Sequence, residues 1–172
     1  MKVSEAYRQL NRQMHEDKPH YGSASYLSEP VKQLMAAERS RDILDYGCGK
    51  RGLEKDLGFP IQNYDPAIPG CDNEPSPADI VCCGDVLEHI EPECLDEVLA
   101  HLKTLTKRVL VATVHIGPAN KHLPDGRNAH LIQQSREWWL GKLLQHFTLL
   151  QYVRGDKHAV FILGNGDLYR AD

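Results

Sequence analysis

No apolar run in this 172-residue chain approaches the ~20 residues that a membrane span needs. The amino terminus, MKVSEAYRQLNRQ, lacks the apolar core of a secretory signal, so the expected location is the cytoplasm. Positive charge is not in excess: 20 Lys and Arg against 24 Asp and Glu leave a formal charge of −4. Generic binding to nucleic acid is therefore not favoured. The five cysteines (Cys48, Cys71, Cys82, Cys83 and Cys94) form no CxxC pair, and their number is odd. That excludes a disulfide framework and a zinc ribbon and leaves reduced, mostly buried thiols. There is no internal repeat, low-complexity tract or linker. With 41% hydrophobic and 26% charged residues, the chain reads as one ordinary globular domain.

The sequence does carry an alternation of two periodicities. Val3, Tyr7, Leu10 and Met14 recur at helical spacing over 3–16, and Ser28 is placed to cap a second helix carrying Val31, Leu34 and Met35. Ile43 and Leu44 lead a short strand into Asp45, a glycine turn through Gly47, Gly49 and Gly52, and a helix start at Leu53 and Leu57. A second strand over 59–65 ends at Asp65. Four prolines exclude a regular helix over 66–78. Residues 79–84 read as a buried parallel strand, 91–107 as a long helix and 108–114 as another strand. A polar, histidine-bearing loop comes next. Ser135 then caps a helix whose stripe is Leu140, Leu143, Leu144 and Phe147, and two apolar runs split by Arg-Gly-Asp-Lys predict a terminal hairpin. The order predicts an α/β fold with a mostly parallel sheet and an antiparallel C-terminal hairpin.

Glycines after a strand let backbone approach a ligand, and the helix behind them offers free N–H groups. The spacing GxGxxG also fits a dinucleotide site, but Asp45 at the mouth of the strand would repel a pyrophosphate. It suits a ligand with a positive amino group. Asp65, at the tip of the next strand, is placed to accept from two ribose hydroxyls.

ILDYGCGKRG (43–52) resembles motif I of the class I S-adenosylmethionine (SAM)-dependent methyltransferases. NYDP resembles that superfamily's second-strand acid, and ADIVCCGDVLEHI its fourth strand and the run after it. The terminal hairpin resembles its reversed last strand. The resemblance spans roughly 40–164 and is closest to small, single-domain members of the type 11 and 12 kind. It implies a Rossmann-like core over 41–172, with residues 1–40 forming N-terminal helices and a lid that contains Tyr21, Gly22 and Ser25. It implies SAM as cofactor and S-adenosylhomocysteine (SAH) as product. Asp45, Gly47, Cys48 and Gly49 would hold the methionine end, Asp65 and Pro66 the ribose, and Asp85, Val86 and Leu87 the sulfonium and adenine side. The 66–78 segment is too short for the usual helix and third strand. That strand is expected to be missing or rudimentary, with Cys71 or Asp72 in its place against the adenine.

Methyl transfer asks an enzyme to align nucleophile and methyl and to remove a proton, for which histidine is suited near neutral pH. His130 is the first choice as catalytic residue, with His89 beside it and His115 and His122 as further candidates. A divalent metal is not expected, but an alternative set (Asp85, Glu88, His89 and His130) resembles that of metal-dependent RNA 2′-O-methyltransferases and quinone O-methyltransferases. Of the adjacent Trp138 and Trp139, one packs in the core. Lys121, Arg127 and Arg136 are candidates for gripping an anionic acceptor. The reading is a SAM-dependent methyltransferase acting on an oxygen or nitrogen of a small molecule such as a sugar or nucleotide. A metal-assisted O-methyltransferase, a non-catalytic SAM-binding protein and an NAD-type oxidoreductase stand as alternatives. The absence of an N/D-P-P-Y/F run after residue 84 argues against methylation of flipped adenines.

Overall fold

Period-2 alternation sends neighbouring side chains of a strand to opposite faces, and here both faces are apolar along the central strands. The computed structural model describes residues 3–18, 21–22 and 26–166. Helices α1 (Glu5–Asp17) and α2 (Ser28–Glu38) precede β1 (Ile43–Tyr46), α3 (Gly52–Leu57), β2 (Gln62–Tyr64) and β3 (Ala78–Gly84). Next come α4 (Leu95–Leu105), β4 (Thr106–His115), α5 (Arg136–Leu143), β5 (Thr148–Arg154) and β6 (His158–Gly164). One six-stranded sheet results, in the order β2-β1-β3-β4-β6-β5. The first four strands run parallel, and β6 is antiparallel to both β4 and β5.

The alternation sorts the core into two layers. Val81, Cys83, Leu110 and Ala112 pack under α4 and α5, together with Leu99 and Trp139. Ile80, Cys82, Val109 and Val111 face the other way, onto Val31 and Leu34 of α2 and Leu53 of α3. No helix among the described residues is long and apolar enough to cross a membrane.

Element order follows the sequence expectation, and 66–77 carries no strand, so β2 is the rim of the sheet. Several boundaries differ. Ser28 is the first residue of α2 rather than its cap, and no side chain caps that helix. The second strand shrinks to Gln62–Tyr64. The helix expected from 91 begins at Leu95, because Pro92 opens a separate 3-10 turn over Pro92–Cys94. Ser135 does cap α5, accepting from the Trp138 N–H. Trp139 is the buried tryptophan, whereas Leu144, expected in the buried stripe, is exposed.

Candidate active site

Parallel strands end together, so the turns after β1 and β3 converge at one edge of the sheet. Asp45 stands in register beside Cys82, three residues before Asp85. A cavity of about 490 Å³ opens above these ends, within the size range of cofactor sites. Asp45 and Asp65 line it, as do His89, His115 and His130.

Asp45 is 8% exposed, and no donor reaches it among the described residues. Burial, with the charges of Asp65 and Glu54 adding to it, pushes its carboxyl up to about 7. Asp65 is held differently. Its Oδ2 accepts the Gly49 N–H at 3.1 Å and its Oδ1 the Ala67 N–H at 2.9 Å, leaving each oxygen a further lone pair. Burial raises this carboxyl, while both N–H groups and His15, 3.9 Å away on α1, draw it back down.

The glycine turn is shaped by the protein's own packing. Gly47 (φ +82°) and Gly49 (φ +47°) are both left-handed, and a Cβ on Gly47 would meet Val86 at 2.3 Å. A Cβ on Gly49 would meet the Gly22 carbonyl oxygen at 2.3 Å. That carbonyl accepts the Lys50 N–H at 2.8 Å, so the Tyr21–Gly22 strap lies directly on the turn. Gly49 backs onto the strap and is not among the residues that line the main cavity. Gly49→Ala must therefore push backbone against backbone. The expected cost is about 1–3 kcal/mol, measured by urea unfolding, together with weaker cofactor binding as the strap shifts.

Beyond β3, Asp85 is left-handed (φ +51°) and locked onto β4. Its N–H donates to Thr113 Oγ1 at 3.0 Å, and the Thr113 hydroxyl donates back to Asp85 Oδ1 at 2.9 Å. The Tyr26 hydroxyl donates to the same Thr113 oxygen at 2.9 Å. Tyr21, Cys48, Pro66, Asp85 and Val86 all line the cavity. Leu87 does not: it is fully buried in the core, whereas its expected place is against the cofactor. Ser25 lies outside the described residues.

Glu88 and His89 sit on a 3-10 turn (Leu87–His89) directly after β3. Burial and the nearby Asp85 push the Glu88 carboxyl up to about 8, against the His115 N–H, which donates to Oε1 at 2.7 Å. Burial and the His130 ring hold His89 down to about 4. His130 is brought in by the long loop: Ile132 N–H donates to Glu88 O at 3.0 Å, and Asn128 Oδ1 accepts the N–H groups of Ala119 and His130. The His89, His130, His115 and His158 rings succeed one another at centroid spacings of 4.7–4.8 Å.

Other candidates lie elsewhere. His122 is exposed, and Arg127 pairs with Asp125 at 2.8 Å. Arg136 is bound to the Gly155 and Asp156 carbonyls of the hairpin turn. Only Lys121 of the three basic candidates reaches the cavity, with its ammonium over the Tyr21 ring. Cys71 is buried and receives two N–H groups from Arg51, and Asp72 is exposed and accepts the Gly70 N–H; neither lines the cavity. Sequence reasoning missed His15, Tyr26, Thr113 and His158, all recruited from elements remote in sequence. The count of nine histidines was the one available signal.

Four parallel strands finished by an antiparallel pair, with a glycine turn after the first strand and a cavity above the strand ends, have the fold of a class I SAM-dependent methyltransferase. Residues 15–157 match the family described as "Methyltransferase domain", and the chain belongs to that family. Among solved structures it is similar to 1,6-didemethyltoxoflavin N1-methyltransferase of Burkholderia thailandensis, bound to 1,6-didemethyltoxoflavin and SAH. Identity is 14%, the TM-score 0.66, and 97% of this chain and 92% of that one are covered. Magnesium protoporphyrin IX methyltransferase of Synechocystis PCC 6803, bound to SAM, gives 14% identity and a TM-score of 0.66 over 96% of this chain and all of that one. N-methyltransferase NodS of Bradyrhizobium japonicum WM9, bound to SAH, gives 13% and 0.61 over 95% and 100%. At these identities the likeness is one of fold. No curated protein sequence matches the chain.

Proposed function

We propose that this protein transfers a methyl group from SAM to an oxygen or nitrogen of a small-molecule acceptor. The observation that carries the reading is one cavity lined both by two buried carboxylates, Asp45 and Asp65, and by His89, His115 and His130. A carboxylate without a donor, such as Asp45, fits the ammonium of the methionine moiety, and the spare lone pairs of Asp65 fit two ribose hydroxyls. An NAD pyrophosphate would be repelled at the same place.

When bound, SAM supplies a methyl group on a positively charged sulfur. Asp45 fixes the amino end, Asp65 fixes the ribose, and Asp85, immobilised by Thr113, presents its charge on the sulfonium side. The Tyr21–Gly22 strap covers the glycine turn and keeps water from it. His89 and His130 line the cavity, and their free ring nitrogens accept from the acceptor's O–H or N–H and orient it. The five thiols are all free, which supports a reducing compartment such as the cytoplasm.

Thermal unfolding with SAM, SAH and NAD tests the reading. Ligand at 100 times its Kd stabilises the native state by ~2.7 kcal/mol. For a chain of this size that raises Tm by about 5–10 °C. SAM and SAH are expected to give this shift and NAD none; a shift with NAD alone would overturn the assignment.

A further inference from the structure

Glu88, His89 and His130 each bring one ligating atom to within 4.8 Å of the others. The hydrogen bonds around them show which ring nitrogens are free to bind. His89 Nδ1 lies 2.7 Å from the Ala129 carbonyl oxygen, and His130 Nδ1 lies 2.8 Å from that of Gly117. A carbonyl oxygen only accepts, so both Nδ1 atoms carry the proton and both Nε2 atoms present lone pairs. Metal-binding histidines are held in this way, the far N–H donated to a fixed acceptor so that tautomer and ring orientation are set. Glu88 supplies the independent observation. Its side chain is fully buried, Oε1 is taken by the His115 N–H, and Oε2 is buried with no partner. An orphaned carboxylate oxygen in that position is costly unless something positive meets it.

The geometry points to a divalent cation site formed by Glu88 Oε2, His89 Nε2 and His130 Nε2. Two imidazoles and one carboxylate suit a borderline ion such as Zn²⁺, Co²⁺, Mn²⁺ or Fe²⁺ over Mg²⁺ or Ca²⁺, which take oxygen donors. Three protein ligands leave a coordination position open, as catalytic sites do, and the two imidazoles face the cavity. Asp85, the fourth residue of the alternative set, is engaged by Thr113 and lies outside the cluster.

The site narrows the acceptor. A cation there would orient a hydroxyl and lower its pKa, so that the hydroxyl proton leaves to solvent. The oxygen lone pair then forms the new C–O bond while the C–S bond pair returns to sulfur, giving a methyl ether and neutral SAH. This assignment of a hydroxyl acceptor rests on the methyl-transfer reading above. Cation binding itself does not.

The test is titration of the chelator-treated protein with Zn²⁺ by calorimetry and with Co²⁺ by visible absorption, for the wild type, Glu88→Gln, His130→Ala, His130→Gln and His122→Ala. SAH binding and far-UV circular dichroism are measured on the same samples. The wild type and the exposed His122→Ala control are expected to bind one equivalent. Loss of one ligand is expected to weaken binding at least ~100-fold while SAH binding persists. Absence of binding in the wild type, or equal binding in all variants, would overturn the site. If His130→Ala is unfolded by circular dichroism, Glu88→Gln and His130→Gln decide. Cation binding without SAH binding would leave the site standing and remove the methyl-transfer reading, whereas SAH binding without cation binding would do the reverse.

Discussion

Asp45→Asn is expected to weaken SAH binding by about 10–150-fold, the worth of one charge-assisted hydrogen bond. The same change is expected to stabilise the protein at pH 8. Burial raises this carboxyl from 3.8 to about 7 in the folded chain. The native state therefore holds a proton that the unfolded chain releases, and stability falls as pH rises from about 4 to about 7. Asparagine cannot ionise, so the variant escapes that fall. Three pH units correspond to about 4 kcal/mol, or of order 10 °C in Tm. Unfolding curves at pH 5 and pH 8 should show the gap between variant and wild type opening toward pH 8. In the wild type, SAH affinity should drop as pH falls below 7, where Asp45 takes up its proton. A variant that binds SAH normally, or is less stable at both pH values, would show that Asp45 is a structural carboxyl.

His130→Ala is expected to lower methyl transfer by about 10²-fold or more, the cost of misplacing the acceptor. The readout is release of labelled methyl to whichever acceptor a screen of hydroxyl and amine metabolites returns. His130 is bonded to Asn128 and Gly117 rather than to Asp45 or Asp65, so SAH affinity should stay within a few-fold of the wild type. That split between turnover and cofactor binding separates a role in chemistry from damage to the fold. Equal losses in both would place His130 among the residues that only hold the loop, through its bond to Gly117.

The order of elements is legible in the sequence because many switches of period are marked by glycine, proline or serine at the boundary, as at Ser40, Gly58, Pro66 and Gly155. The missing strand is legible too, since 66–77 has four prolines and too few residues for a helix and a further strand. Direction within turns is what escapes. Leu87 comes two residues after Asp85, and only the left-handed kink at Asp85 and the 3-10 turn after Val86 send it into the core. Gly47 and Gly49 carry the expected pattern, yet the space beside them is filled by Val86 and Gly22, neither adjacent in sequence. The acidic pair is legible as neighbours because register along parallel strands is predictable. His15, Thr113 and His158 are not, because a single polar residue on a helix, strand or hairpin gives no sign of which tip it will reach.

The two rims of the sheet have a further consequence, for how the protein behaves when crowded. An open sheet invites a second copy to add a strand along its free edge. At one rim β2 is only three residues long and gives way to a proline-rich stretch with few amides to offer. At the other, β5 exposes Leu150, Tyr152 and Val153, and its register against β6 slips between Leu149 and Gln151. A copy arriving at that edge meets a bent ladder that it cannot zip along. Straightening β5 would leave a longer regular edge, and with it a greater tendency to pair edge to edge with a second copy.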